Sequence, residues 1–254
     1  MTTTVTVGLL HPGAMGAALG AALVGNGHEV LWPSSGRSDA TRARAEAEGL
    51  ADVGTIDALA ARSDTVISIC PPEYATDVAA AVRATKFNGV FVDANAISPE
   101  RALAIAPSVD GGVIGGPPRQ AGTTRLYLSG PRAGEVAALF DGSVLDARVV
   151  DDQIGTASAL KMTYAAYTKG MTALLLALRE TSRFHGVDDA LLAEWEISQP
   201  QLAGMYELAT ASVGPKAWRF IAEMEEIAAT FAAAGQPDGF HRAAAEVYRQ
   251  VAAR

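Results

Sequence analysis

Residues 5–27, VTVGLLHPGAMGAALGAALVGNG, constrain this chain more than any other stretch. A β-branched run, Val5–Leu9, starts almost at the N-terminus and breaks at a turn holding Pro12 and Gly13. An Ala- and Leu-rich helix follows, Asn26-Gly27 closes it, and Glu29–Trp32 reads as a second strand. Strand, glycine turn, helix, strand is how a dinucleotide-binding unit opens, with a pyrophosphate received at the helix N-terminus. The usual spacing G-x-G-x-x-G falls here on His11, Gly13 and Gly16. His11 replaces the first glycine. A histidine lacks glycine's freedom at positive φ, so a modified turn is expected. His11, Pro12, Gly13, Ala14 and Met15 are the first cofactor-binding candidates. The competing reading is a βα turn whose glycines serve packing alone.

Beyond residue 27, short β runs alternate with helical stretches up to about residue 150. Expected strands are Thr65–Ile69, Val90–Asp93, Gly112–Ile114, Arg125–Ser129 and Ser143–Val149, with helices such as 38–48, 73–84 and 131–140 between them. Alternation of this kind demands a parallel sheet covered on both faces. After Asp151 no convincing strand remains. The pattern reads as one long helix to about His185, stopped by Gly186, then helices over 188–196, 198–212, 215–234 and 238–253. The expected fold is therefore α/β, with a Rossmann nucleotide-binding domain over 1–150 and an all-helical substrate and dimerisation domain over 151–254.

With 254 residues, 49% of them hydrophobic, the chain can bury a real core. Its net charge of −8 argues against nucleic acid or anionic membrane as partner. One cysteine, Cys70, excludes an internal disulfide and fits a reducing, cytoplasmic setting. The first residues carry no basic leader and run straight into a strand, so no signal peptide is expected. No metal is expected.

The end of the second strand decides the nucleotide. Enzymes that use NAD place an acid there for the ribose hydroxyls. Here the chain reads Leu31-Trp32-Pro33-Ser34-Ser35-Gly36-Arg37-Ser38, and no acid appears before Asp39. Ser34, Ser35 and Arg37 offer hydroxyls and a guanidinium fork, which suit a 2′-phosphate dianion. The expectation is NADP; the competing reading is a solvated loop that happens to carry arginine. The missing acid also weakens a methyltransferase reading. Cys70, Pro71 and Pro72 form a rigid turn at the end of another strand, placed to line the ribose and nicotinamide side. Asn95 either bonds the nicotinamide ribose or makes an Asx-turn.

LLHPGAMG, ICPP, DANAISPE, IGGPP and GTASALK fall in the order and spacing of the β-hydroxyacid dehydrogenase superfamily, which the chain resembles over residues 5 to about 180. That group includes 3-hydroxyisobutyrate and 6-phosphogluconate dehydrogenases and the imine reductases. KAWRFIAEMEEIA and AAAEVYRQVA look like a branch with a short helical C-terminal domain. The resemblance implies a substrate loop at Gly115, Gly116 and Pro117, and a proton-handling lysine at Lys161. Lys161 makes sense chemically, because reducing C=O or C=N leaves negative charge that a nearby ammonium stabilises and protonates. Tyr164 and Lys169, on a similar helical face, are further catalytic candidates. Two departures stand out. Where the family has an asparagine four residues after the lysine, this chain has Ala165; where it has a serine before Gly-Gly, this chain has Ile114. Arg119 and Arg125 are candidate replacements for the lost carboxylate anchor. The sequence thus points to an NADPH-dependent reductase of a carbonyl group acting as a homodimer. The alternatives are an imine reductase and a non-catalytic NADPH sensor.

Overall fold

The computed structural model describes residues 4–213 and 217–253. By its internal contacts the chain divides into two compact units, one ending at Lys161 and the other beginning at Met162.

In the first unit, among the described residues, eight strands form one sheet: β1 (Thr6–Leu9), β2 (Glu29–Trp32), β3 (Ala51–Asp52), β4 (Thr65–Ser68), β5 (Val90–Asp93), β6 (Val109–Ile114), β7 (Arg125–Ser129) and β8 (Asp146–Asp151). Their spatial order is β3-β2-β1-β4-β5-β6-β7-β8. The order reverses beside β1, which pairs with β2 on one side and β4 on the other. Such a switch point leaves a crevice at the carboxyl ends of the strands, where nucleotides bind in doubly wound folds. The strands are short and β-branched, and β4 is buried along its whole length, as a sheet covered on both faces requires. Six helices connect them: α1 (Ala14–Gly25), α2 (Asp39–Ala47), α3 (Ile56–Arg62), α4 (Ala75–Ala84), α5 (Pro99–Ile105) and α6 (Ala133–Ala138). Val7, Leu9, Leu19, Leu23, Ile67, Val92, Leu126 and Leu128 lie in one continuous core.

The sheet departs from the expected all-parallel pattern once. β6 and β7 pair antiparallel, from Asp110↔Ser129 to Ile114↔Arg125. The segment 115–124 between them holds no helix, and a parallel crossover needs one or a comparable length of chain. β3, a two-residue edge strand, was too short to be seen as a hydrophobic run. β6 begins at Val109 rather than Gly112, because Asp110-Gly111-Gly112 has the composition of a turn but the pairing of a buried strand.

The long helix α7 (Thr156–Phe184) begins in the first unit and continues into the second. It has no acidic residue in its own first turn. Its N-terminal amides find acceptors on the sheet instead. Asp110 on β6 accepts from Gly155 N–H (3.0 Å), Ser158 N–H (2.9 Å) and Ser158 Oγ (2.6 Å). Ser129 on β7 accepts from Ala157 N–H (3.0 Å). A buried carboxylate at a helix start satisfies orphan amides and favours the helix dipole. This anchorage explains why the first unit extends past residue 150 and includes the first turns of α7.

The second unit holds the rest of α7 with α8 (Asp188–Ser198), α9 (Gln201–Val213), α10 (Ala217–Ala233) and α11 (Gly239–Ala252). The expected helix start at Pro215 lies outside the described residues. α7 stops at the expected glycine: Gly186 takes φ +69, and Val187 N–H reaches back to the Ser182 carbonyl at 2.9 Å. Arg179 then grips Asp188 with both Nε and Nη2 at 2.8 Å, tying α8 to α7. α10 and α11 meet through Phe220 against Tyr248 and Phe231 against His241, edge to face.

Candidate functional site

The first unit gathers the sequence motifs at the carboxyl ends of its strands. The β1–α1 turn is held by a short bond from Gly13 N–H to the His11 carbonyl at 2.8 Å. A side chain on Gly16 would put its Cβ 2.2 Å from that carbonyl, so the turn and helix can approach only with glycine there. At Gly13 the reverse holds: an added Cβ would meet nothing within 4 Å. That open side of the turn, beside the free amides of α1, is the room a pyrophosphate needs. Among the described residues only Lys86 and Ala106 are non-glycines at positive φ, so His11 sits in the turn without backbone strain.

The β2–α2 loop is stitched to this turn by arginines. Arg37 Nη2 lies 2.9 Å from His11 Nε2 and 3.4 Å from the Leu10 carbonyl. Arg44 donates to the Pro12 carbonyl (3.2 Å) and Arg42 to the Ser34 carbonyl (2.8 Å). In a chain of net charge −8 this local concentration of guanidinium suits a phosphate. Arg42 and Arg44 escaped sequence reasoning, although the run TRAR on α2 was a visible signal. Ser34 is buried and Ser35 exposed. Ser38 caps α2, accepting from Thr41 N–H. One acid does stand near this loop. Asp52, at the end of β3, lies 3.9 Å from Arg42, and its carboxyl is held below the usual range by hydrogen bonds from Ser34 and Gly54.

The ends of β4 and β5 are braced together. Cys70 N–H donates to Asn95 Oδ1 (2.6 Å), and Asn95 Nδ2 donates to Ser68 Oγ (3.0 Å). Asn95 is thus a strut, and the Asx-type turn belongs to Asp93, whose Oδ1 accepts from Asn95 N–H at 3.0 Å. Burial pushes the Cys70 thiol up to about 12, so it is a packed thiol and no nucleophile. Pro71 precedes a short 3-10 turn that Pro72 opens. Asp93 and Asp110 are register partners on β5 and β6, both fully buried. Burial raises the Asp93 carboxyl to about 6, and its Oδ2 has no hydrogen-bond partner.

After β6, Thr124 Oγ1 donates to the Gly116 carbonyl (2.7 Å) and fixes the loop of Gly115, Gly116 and Pro117. Arg119 is engaged by Glu48 at 2.6 Å, and Arg125 by the Gly122 carbonyl at 3.2 Å. Arg119 is thus already paired with a carboxylate, while Arg125 makes a single backbone bond. Ile114 and Ala165, the two positions where the expected polar anchors are missing, are both buried.

Lys161 is on α7 where the helix lies on β6. A Cβ on Gly112 would come within 2.8 Å of both the Ala157 carbonyl and Lys161 Cβ, so the glycine lets the lysine-bearing turn settle on the sheet. Lys161 is partly buried, and desolvation lowers its ammonium from 10.5 to about 8. Tyr164 and Lys169 belong to the second unit. Tyr164 is 48% exposed. Lys169 forms an ion pair with Glu223, its Nζ lies 4.5 Å from the Phe220 ring centre, and its carbonyl accepts from the Tyr248 hydroxyl at 2.7 Å. Those partners give Lys169 a place in the helical core.

Two family models match the chain. Residues 6–97 match the model described as NADP oxidoreductase, coenzyme F420-dependent, and residues 183–251 match a domain of unknown function, DUF1932. A 28.5 kDa protein from Methanothermus fervidus, encoded 5′ of a 7S RNA, is 31% identical over 171 residues. That alignment spans 65% of this chain and 66% of the relative. The solved structure of conserved protein MTH1747, described as similar to 3-hydroxyacid dehydrogenases, superimposes with a TM-score of 0.70 at 26% identity, over 97% of this chain and 96% of that one. Mycobacterium tuberculosis 3-hydroxyisobutyrate dehydrogenase, solved with L-serine, shares the fold at 19% identity and a TM-score of 0.73, over 99% and 94% of the two chains.

Proposed function

We propose that the chain, which shares the fold of the 3-hydroxyacid dehydrogenases and carries an NADP oxidoreductase match over residues 6–97, is an NADPH-dependent oxidoreductase that reduces a carbonyl group, with Lys161 as proton donor. The observation that carries this reading is Lys161 itself. Among the described residues this lysine has no ion-pair partner, its pKa is lowered to about 8, and its helix is seated on the sheet that carries the glycine turn. The open face of Gly13, the α1 amides, Arg37 of the β2–α2 loop and Arg42 of α2 fit a phosphorylated dinucleotide.

NADPH, when bound, supplies a hydride to the substrate carbon. The turn 11–15 would hold the pyrophosphate by its backbone amides, and Ser34, Ser35 and Arg37 would receive the 2′-phosphate. Pro71, Pro72 and the strut of Asn95 keep the neighbouring loop rigid. Gly115, Gly116 and Pro117 form the substrate loop. Lys161, cationic below about pH 8, polarises the carbonyl oxygen and gives it a proton from Nζ as charge develops. The resulting amine takes its proton back from water. Where the resemblance implies polar anchors this chain has Ile114 and Ala165, which favours a substrate less acidic than a small hydroxy acid. The same two positions favour the second reading, an imine substrate protonated on nitrogen. We propose a homodimer in a reducing cytosol as the working form.

Two experiments test the reading. Fluorescence titration is expected to give NADPH at least about ten-fold tighter than NADH, since a charge-assisted pair contributes about 1.5–3 kcal/mol. Arg37→Ala should remove that advantage, and equal parent affinities would discard the cofactor assignment. NADPH oxidation is then followed against ketoacid, aldehyde and cyclic imine panels. Turnover with the carbonyls supports the first reading and turnover with the imines alone the second. Tight binding with no turnover on any panel returns the chain to the sensor class.

A further inference from the structure

We propose that His11 is a specificity-determining residue: its imidazole seats Arg37 and so sets the preference for a nucleotide carrying a 2′-phosphate. The inference rests on the NADPH reading above. Its starting point is the anomaly of the turn, a histidine where the fingerprint has glycine. The backbone there has no strain that would explain or forbid a side chain. What the side chain does is accept a hydrogen bond from Arg37, at 2.9 Å from Nη2.

The chemistry of that bond fixes the ring. A guanidinium has donors only, so His11 Nε2 must present its lone pair and Nδ1 must carry the proton. Burial and the Arg37 charge both oppose a second proton, and the imidazole titrates at about 4. His11 is therefore a neutral acceptor across the physiological range. Without it, Arg37 would keep only the Leu10 carbonyl at 3.4 Å, a bond near the limit of useful length. Arg42 and Arg44 are fixed differently, each by a backbone carbonyl.

A second observation points to an anion. His11 Nδ1 and Arg37 Nε are both buried and lack hydrogen-bond partners. Both are N–H donors by the argument above. Two unmet donors within one hydrogen-bonded pair are costly, so an acceptor drawn to the Arg37 charge, such as a phosphate dianion, would stabilise the pair. The serines of the loop offer hydroxyls to either nucleotide, whereas the His11–Arg37 pair answers to the added charge.

The test reads binding and needs no turnover. NADPH and NADH are titrated by fluorescence into the parent, His11→Leu, His11→Gln, Arg37→Ala and the His11→Leu/Arg37→Ala double variant. Leucine keeps bulk and removes the acceptor; glutamine keeps an acceptor for the guanidinium. His11→Leu is expected to weaken NADPH about ten-fold, equivalent to ~1.4 kcal/mol, and NADH less than about two-fold. His11→Gln should stay within about three-fold of the parent for NADPH, less than ~1 kcal/mol. The double variant should bind NADPH no more weakly than Arg37→Ala, because the two residues act as one unit. Equal weakening of both nucleotides in His11→Leu would make His11 a structural part of the turn and overturn the proposal. So would unchanged NADPH affinity. In both cases a selective loss in Arg37→Ala leaves the cofactor reading standing. Equal affinity of the parent for the two nucleotides overturns both.

Discussion

A lysine that titrates near pH 8 can serve either direction of a hydride reaction, and the pH profile separates the two. Below about 8 Lys161 is an ammonium, which in the proposed role would donate; above it the amine would accept. Reduction should therefore slow as pH rises through about 8, and the reverse oxidation should speed up over the same interval, measured as kcat at saturating cofactor. Lys161→Met should lower turnover by about 10²–10⁴-fold, the usual worth of a general acid, with NADPH affinity almost unchanged. Full activity in that variant would return Lys161 to the status of a packed lysine. Gly13, Gly16 and Lys161 could be proposed from the sequence because each belongs to a local pattern: a fingerprint spacing, a strand–helix junction, a helix motif. The partners that tune them could not. Arg44 reaches Pro12 from 32 positions away, and Asp52 meets Ser34 from a neighbouring strand. Lys169, read as catalytic from its helical face, is claimed by Glu223 and Phe220, which no local pattern reveals.

Among the elements, α7 bears the proposed proton donor and depends on a residue from a different element. Its first turn lacks an acid of its own, and Asp110 of β6 supplies the acceptor oxygens for Gly155, Ser158 N–H and Ser158 Oγ. Asp110→Ala strips a charged acceptor from buried amides and should cost about 2–4 kcal/mol of stability by urea unfolding. Asp110→Asn, which keeps one acceptor oxygen, should cost roughly half as much. A loss below ~0.5 kcal/mol in Asp110→Ala would show that α7 starts without this anchor. The helix itself was evident from composition, and so was its stop at Gly186. Its foundation was hidden because Ser108-Val109-Asp110-Gly111-Gly112 carries turn residues. Those residues became strand only through pairing with β7, a contact between segments that are distant in the chain. The antiparallel β6–β7 step was hidden for the same reason.

For the whole molecule, the homodimer is best argued from α7's exposed face. Leu160, Tyr164, Tyr167, Leu174 and Leu178 are all exposed apolar residues on one helix. They are spaced by four, three, seven and four, the 3.5-residue period of a coiled-coil seam. Of the large apolar residues in the other helices of the second unit, Trp195 and Met224 are buried, while Trp218 is 52% exposed. The stripe on α7 is thus the better candidate for self-association. Light scattering should give twice the 26.2 kDa chain mass at micromolar concentration. Tyr167→Glu with Leu174→Glu should reduce it to the single-chain value without lowering helicity. A parent that stays at the chain mass throughout dilution refutes the dimer.

The boundary between the two units lies between Lys161 and Met162, inside a helix that runs unbroken from Thr156 to Phe184. Proteases seek exposed, extended chain, and a domain joint is normally where they find it. Here the joint offers none. Although Lys161–Met162 is a trypsin-type bond, a brief trypsin digest of the native protein should leave it intact and cut elsewhere first. For the same reason the nucleotide-binding half should not be trimmed cleanly away from the helical half: a fragment ending at residue 161 would keep the proposed proton donor at its frayed last position. The protein is divisible by its contacts and indivisible by its backbone.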